Sequence, residues 1–165
     1  MDRELMNVIF ESEHILFTEV SELLVKDYLT MVNDIEHVDR FIGGGHEAFT
    51  EEQEIKWVRK KLAEKAQVFS MLEKAGGAFI GNIELMGVHD GTGELGIAIT
   101  AEKQDRGYGS EAVKALTAYG MEQLGLRRIV LRVLPHNGRA IHVYEKCGFR
   151  ACGQRDGSIC MEICR

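Results

Sequence analysis

A short segment in the middle of the chain, Gln104-Asp105-Arg106-Gly107-Tyr108-Gly109-Ser110, has the composition of an anion-binding bend. It follows a strand-like run and precedes a helix-like run that starts at Glu111. Helix-start N–H groups lack acceptors within the helix, and the helix dipole adds partial positive charge there. Gly107 and Gly109 let the backbone approach a phosphate without a Cβ, and Arg106 can donate a charge-assisted hydrogen bond. The pattern predicts a site for a pyrophosphate-bearing cofactor.

The same bend also fits part of the dinucleotide-binding fingerprint, because Gly107-x-Gly109-x-x-Ala112 matches Gly-x-Gly-x-x-Gly/Ala. That fingerprint follows its strand almost at once, whereas Thr100 to Arg106 intervene here. Only about thirty residues follow the next strand, which is too few for the remaining βαβ units. Dinucleotide binding is therefore the weaker alternative.

A second motif lies downstream, where residues 137–149 read Asn-x-x-Ala-x-x-x-Tyr-x-x-x-Gly-Phe. Together with Gln-x-x-Gly-x-Gly at 104–109, and with a strand between the two motifs, it resembles the GNAT superfamily of acetyl-CoA-dependent N-acetyltransferases. The resemblance is sharp from Phe79 to Phe149 and loose before that. Phe41-Ile42 and Trp57 are similar to the ribosomal-protein and polyamine acetyltransferase branch. The first strand lacks the arginine usual in that branch.

The resemblance implies acetyl-CoA as the cofactor and assigns residues to it. In the family the bend binds the pyrophosphate, a strand pairs its backbone with the pantetheine arm, and an asparagine contacts the pantetheine amide. The cofactor-binding residues implied here are Ile97, Ala98, Ile99, Gln104, Arg106, Gly107, Tyr108, Gly109, Ser110 and Asn137. From the residues alone, Asn137 is equally well explained as a helix N-cap.

Two residues are expected to carry the chemistry. The resemblance assigns to Tyr144 the donation of a proton or a hydrogen bond to the coenzyme A sulfur, although a tyrosine there also suits a helix core. Glu94, near the start of the cofactor strand, resembles the glutamate that acts as base in some family members. Glu84 on the preceding strand, or water alone, is the alternative base.

The strand that contains Glu94 is expected to have two unlike faces. Strict alternation puts Leu95, Ile97 and Ile99 on one face, and Gly96, Ala98 and Thr100 on the other. A face of small residues leaves room for a ligand or for a closely packed helix.

Length, charge and cysteine spacing exclude several classes of protein. The 165 residues suit one domain over 1–165, and the net charge of −6 disfavours a nucleic-acid surface. No apolar run has membrane-spanning length and the N-terminus is too polar for a signal peptide, so a cytoplasmic protein is expected. The spacings of Cys147, Cys152, Cys160 and Cys164 match no zinc pattern, and we expect no metal site and thiols that pack the C-terminal elements.

The order of elements predicts the fold. Hydrophobic periodicity and turn signals indicate a strand at 15–20, helices at 22–33 and 51–66, and strands at 68–72, 79–86 and 94–100. They then indicate a helix at 110–124, a strand at 128–134, a helix at 138–147 and a final hairpin around Asp156-Gly157. This is an α/β chain with a mixed, mostly antiparallel sheet, flanking helices and one crossover, which agrees with the GNAT-like acyltransferase fold.

The expected function is therefore an N-acetyltransferase that moves the acetyl group of acetyl-CoA directly to a primary amine in a ternary complex. A non-catalytic acyl-CoA-binding module of the same fold is the alternative. The resemblance places acceptor recognition in the N-terminal half and implies a homodimer. Acidic residues there would favour a cationic amine, although solvated helix faces explain them as well: Asp34, Glu36, Asp39, Glu47, Glu51 and Glu52.

Overall fold

The computed structural model describes residues 5–34, 36–38 and 47–165. Eight strands are described: β1 Val8–Glu11, β2 Ile15–Glu19, β3 Gln67–Glu73, β4 Phe79–His89, β5 Thr92–Ile99, β6 Arg128–Val133, β7 Arg150–Arg155 and β8 Ser158–Cys164. Four helices are described: α1 Val25–Val32, α2 Glu51–Glu64, α3 Tyr108–Gln123 and α4 Gly138–Lys146.

The strands form one mixed sheet in the order β1-β2-β3-β4-β5-β6-β8-β7. β5 pairs in parallel with β6, which matches the predicted crossover, whereas β1–β2, β2–β3, β6–β8 and β7–β8 are antiparallel. The α/β fold class, with its mostly antiparallel sheet, is thus confirmed.

The chain forms two compact units. Unit 1 comprises Met1–Glu84 and Ile97–Tyr108, and unit 2 comprises Leu85–Gly96 and Gly109–Arg165. The core of unit 1 surrounds Tyr28, which is fully buried among apolar side chains of α1, α2, β2 and β3. In unit 2, Gly120 lets α3 lie close to Leu85, Leu126 and Ile129. A single domain over the whole chain stays a prediction.

Helix ends follow the sequence signals closely. Thr50 and Gln53 form a reciprocal capping box at the start of α2, and Ser21 accepts a hydrogen bond from Leu23 N. Gly125 has a positive φ of 68° after α3. The turn at Asp156-Gly157 also has positive φ at both residues, as a two-residue hairpin requires.

Several boundaries differ from the expectation. β1 was not predicted, because an edge strand with mostly exposed side chains shows no clear alternation. The predicted helix at 22–33 is a 3₁₀ turn at Glu22–Leu24 followed by α1. The predicted strands at 79–86 and 94–100 left seven residues between them, whereas β4 and β5 are separated only by Asp90-Gly91, which both have positive φ.

Buried residues of β5 lie on both of the faces that alternation defines. Gly93, Leu95 and Ala98 are buried, with Leu95 4% and Ala98 7% exposed, whereas Ile97 and Ile99 are partly exposed. Leu95 and Ala98 stand at an odd and an even position, so each face of the strand carries a buried residue. The predicted opposition between a bulky and a small face stays a prediction.

Candidate functional site

The glycine bend has the geometry of an anion site. Gly107 has a φ of 85° and is exposed, and α3 begins at Tyr108, two residues earlier than predicted. Gly109 and Ser110 therefore lie in the first turn of a sixteen-residue helix, where N–H groups point out along the axis. Arg106 is exposed beside them. The segment combines helix-start donors with a guanidinium.

Gln104, the first residue of the bend, is hydrogen-bonded to backbone groups of unit 1. Its side-chain Nε2 donates to Ile99 O at 2.9 Å and to His37 O at 3.1 Å. Its backbone N–H donates to Ala101 O at 3.3 Å. Gln104 thus ties the bend to the end of β5, and its contact with the cofactor stays a prediction.

An ion pair also supports the bend, and sequence reasoning missed it. Lys103 Nζ lies 2.6 Å from the Glu73 carboxylate at the end of β3, and both side chains are mostly buried. The hydrogen bond from Lys103 lowers the pKa of Glu73, and Tyr108 and Arg106 act in the same direction. Thirty residues separate the two partners, so no local pattern could have revealed the pair.

The strand implied to bind pantetheine is shaped by a neighbouring glycine. A Cβ at Gly81 of β4 would collide with Ala98 O and would crowd Ile99 Cα, so the backbones approach more closely than a side chain allows. Thr100 N donates to Ile80 O at 2.9 Å just beyond this point. Gly81 therefore permits the close approach of β4 to Ala98 and Ile99, which the sequence alone did not reveal.

In unit 2, α4 carries the second motif. Asn137 Oδ1 accepts a hydrogen bond from Ala140 N at 3.2 Å, so the N-cap explanation of Asn137 holds. Tyr144 is 5% exposed and its ring lies 6.2 Å from that of Phe149. Burial, with a smaller effect of Cys147, raises the pKa of Tyr144 to about 12. The phenol is therefore protonated at neutral pH and can act as a hydrogen-bond donor.

The thiols lie on and after α4. Cys147 Sγ contacts Ser110 O at 3.6 Å, and burial raises the pKa of this thiol above its usual range, which weakens it as a nucleophile. Cys147 and Cys160 are partly buried, as expected of packing residues. Cys152 and Cys164 are exposed, so that expectation is wrong for them, because β7 is an edge strand and Cys164 ends β8.

The candidate base Glu94 has a partner. Arg132 of β6 lies 3.4 Å from a Glu94 carboxylate oxygen, and both side chains are partly exposed. The parallel pairing of β5 with β6 ends at Glu94 and Val130, although β6 continues to pair with β8 as far as Val133. Glu94 thus stands where the two parallel strands cease to pair. Glu84, the rival, is half-buried on β4.

The acidic residues expected to attract an acceptor are mostly ordinary surface groups. Glu52 pairs with Lys56 at 3.3 Å and Asp34 with His37 at 2.9 Å, while Glu36, Glu47 and Glu51 are exposed. Asp39 and the Phe41-Ile42 pair lie outside the described residues. The carboxylate that sequence reasoning missed is Glu54, which is 7% exposed.

Within residues 5–34, 36–38 and 47–165, no three His, Cys, Asp or Glu side chains gather as metal ligands would. In those ranges there is also no helix with the length and apolarity needed to cross a bilayer.

Comparison with known proteins identifies the family. A family model described as an acetyltransferase (GNAT) domain matches residues 14–150. The chain belongs to the GNAT acetyltransferase family. The resemblance read from the two motifs is thereby confirmed.

Individual relatives of this GNAT chain cover part of it. The N-acetyltransferase YnaD of Bacillus subtilis (strain 168) is 32% identical over 108 residues, 64% of this chain and 62% of YnaD. A spermidine N(1)-acetyltransferase of Vibrio cholerae is 30% identical over 106 residues, 63% of this chain and 60% of that protein. The chain thus spans about three fifths of these relatives.

Solved structures share the fold. A GNAT-family acetyltransferase from Bacillus anthracis superposes with a TM-score of 0.82 at 23% identity, covering 93% of this chain and 96% of that one. Spermidine N-acetyltransferase from Vibrio cholerae, in complex with CoA and spermine, gives 0.79 at 19% identity, again with 93% and 96% covered. At such identities the likeness establishes the fold.

Proposed function

We propose that this chain transfers the acetyl group of acetyl-CoA directly to a primary amine in a ternary complex. The observation that carries the proposal is the bend at the start of α3, with Gly107 in the left-handed conformation and Arg106 exposed. Helix-start N–H groups and a guanidinium suit a pyrophosphate. Backbone groups of Ile97, Ala98 and Ile99, and the amide N–H₂ of Asn137, complete the proposed cofactor contacts.

Tyr144 is the proposed donor to the leaving sulfur. Attack by the amine on the thioester carbonyl breaks the C–S bond and leaves a thiolate. An ordinary thiol has a pKa of about 8.5, well below that of Tyr144. Complete proton transfer from this phenol would therefore be uphill, and Tyr144 acts by donating a hydrogen bond that stabilises the developing thiolate.

Glu94 is the proposed base. Its carboxylate accepts the proton that the amine loses, directly or through a water, while Arg132 orients it. Glu84 stays the alternative. Cys147 has no place in the mechanism, because its thiol is held protonated and direct transfer needs no acetyl-enzyme.

The charge of unit 1 supports a cationic acceptor. Its sequence ranges hold 19 acidic and 11 basic residues, whereas those of unit 2 hold 7 acidic and 9 basic ones. An acidic surface attracts a protonated amine, and a slightly basic one tolerates the phosphates of coenzyme A. The relatives named spermidine N-acetyltransferases point to the same class of small cationic amine.

The test is the release of coenzyme A thiol from acetyl-CoA in the presence of polyamines, amino acids, aminoglycosides or basic N-terminal peptides. We expect turnover confined to one class, that of small cationic amines. If acetyl-CoA binds but no acceptor in the panel is acetylated, the proposal is wrong and a non-catalytic acyl-CoA-binding module is favoured.

A further inference from the structure

Two of the four cysteines lie on neighbouring strands of unit 2. Cys152 is in the edge strand β7, and Cys160 is in its antiparallel partner β8. The register pairs Ala151 with Met161. The next pair is Gly153 with Cys160, so Cys152 is an extra residue in β7. An extra residue of this kind forms a β-bulge, in which two residues of one strand oppose one residue of the other. Cys152 and Gly153 therefore both oppose Cys160.

The two thiols lie on the same face of the sheet. Arg128 of β6 forms an ion pair with Glu162 of β8, so these two side chains share a face. Cys160 is two positions from Glu162 on the same strand and shares that face as well. The hydrogen bond to Glu162 raises the pKa of the Arg128 guanidinium above its usual range, and a hydrogen bond to Cys152 adds a smaller contribution. Cys152 thus reaches the same guanidinium as Glu162, which places its thiol on the face of Cys160.

This arrangement meets the distance requirement of a disulfide. Residues that face each other across antiparallel strands have Cα atoms about 4.5–5.5 Å apart. Disulfides join residues whose Cα atoms are about 4.4–6.8 Å apart. Cys152 is exposed and Cys160 is partly buried, so a reagent in solution reaches the first thiol directly. The other two cysteines are placed differently, since Cys164 faces Arg128 across β8 and β6, and Cys147 follows the last residue of α4.

We propose that Cys152 and Cys160 are a redox-active dithiol, which a small-molecule disulfide oxidises to a cross-strand disulfide in the folded protein. The Cys152 thiolate attacks one sulfur of the reagent, forms a mixed disulfide and releases one reagent thiolate. The Cys160 thiolate then attacks the Cys152 sulfur, closes the cross-strand bond and releases the second reagent thiolate. The two cysteines lose two protons and two electrons, and the reagent is reduced to two thiols. No step involves acetyl-CoA or an amine.

In the oxidised protein the disulfide fastens an edge strand. β7 is the last strand in the sheet order and all of its residues are exposed. Strands with few buried contacts open locally at a low free-energy cost. A bond between Cys152 and Cys160 holds β7 against β8, and β8 in turn pairs with β6, where Cys160 faces Arg132. An exposed disulfide is readily reduced, so this one suits a reversible response to oxidation.

The first experiment treats the folded full chain with oxidised glutathione, blocks the remaining thiols with iodoacetamide and maps the tryptic peptides. Trypsin releases Cys152 in the peptide 151–155. It leaves Cys160 and Cys164 together in the peptide 156–165. We expect a disulfide between these two peptides in the wild type. The Cys164→Ser variant, which keeps a single thiol in the second peptide, should form the same cross-link and thereby assign it to Cys160.

Two further variants separate the roles of the thiols. Cys160→Ser should keep glutathione attached to Cys152, because no second thiol displaces it. Cys147→Ser is the matched control and should form the cross-link as the wild type does. If the wild type forms no bond between the two peptides, or if Cys160→Ser forms it in the same yield through Cys164, the proposal is overturned, whether or not the chain acetylates any amine.

Hydrogen exchange distinguishes a bond formed in the folded protein from one that requires unfolding. The oxidised wild type should keep the exchange protection of β8, and its β7 amides should exchange at least about tenfold more slowly than in the reduced protein. Dithiothreitol should restore the faster exchange. Cys160→Ser treated with oxidised glutathione should exchange like the reduced wild type. Lost protection in β8, or β7 exchange that is as fast after oxidation as before, would show that the bond does not belong to the native sheet.

Discussion

Tyr28 in unit 1 and Tyr144 in unit 2 are both buried tyrosines whose pKa is raised to about 12, yet their surroundings differ. The Tyr28 hydroxyl shares a hydrogen bond with Ser70 Oγ at 2.5 Å and accepts one from Ser21 N at 3.1 Å. The ring of Tyr144 instead packs near Phe149 at the end of α4. Burial is common to the two residues, whereas the hydrogen bonds of the Tyr28 hydroxyl within unit 1 give Tyr28 a structural role, and Tyr144 is the proposed donor.

The largest expected effect is on turnover. Tyr144→Phe should lower kcat about 100-fold, because it removes the donor to the departing thiolate, and should leave acetyl-CoA affinity unchanged. Steady-state thiol release measures it. Tyr28→Phe is the matched control, since it deletes the same atom and should keep the activity of the folded protein. Full turnover by Tyr144→Phe would remove that residue as donor.

Glu94→Gln should have the next largest effect, about tenfold on kcat. The loss should be greatest at low pH, where the amine is protonated and depends most on a base, and acetyl-CoA affinity should stay intact. A pH–rate profile of the variant beside the wild type tests this. If Glu94→Gln turns over as fast as the wild type at every pH, the base is Glu84 or water. Glu84→Gln is the variant that distinguishes those two.

The two Tyr→Phe variants should rank in the opposite order when stability rather than turnover is measured. Tyr28→Phe should lower the free energy of unfolding by about 1–3 kcal/mol, because Ser21 N–H loses its acceptor inside unit 1. Tyr144→Phe should cost less. Urea unfolding of the two variants and the wild type measures the difference, and a larger loss for Tyr144→Phe would contradict the contrast drawn between the two hydroxyls.

The smallest expected effect is the loss of stability when the Glu73–Lys103 ion pair is removed. The pKa of Glu73 lies below its ordinary 4.5, so the ionised side chain stabilises the folded state above about pH 4.5. That contribution is lost as the pH falls through the lowered value. Glu73→Gln should thus be less stable than the wild type at pH 7, and the gap should close in acid. A gap of the same size at every pH would show that Lys103 contributes nothing through this carboxylate.

Much of the fold could be predicted because its signals are local. The Thr50–Gln53 capping box, Gly125 after α3 and the Asp156-Gly157 turn depend on a few neighbouring residues, and the structure has all three. β1 could not be predicted, because an edge strand is stabilised by its partner β2 rather than by its own pattern.

The candidate site was predictable only in part, for a related reason. The bend and α4 carry compact motifs, and both form as expected. The features that position or tune them join distant residues: Glu73 with Lys103, and Gly81 with Ala98. Glu54 looked like any charge on a charged helix, because the sequence does not show which turn of α2 faces the core.

Acetyl transfer to an amine is tested by mass spectrometry of a reaction containing the chain, acetyl-CoA and spermidine. We expect acetylated spermidine in amounts equal to the coenzyme A released, with the protein itself unmodified. Bound acetyl-CoA with no acetylated amine, or an acetyl group retained on Cys147, would contradict it.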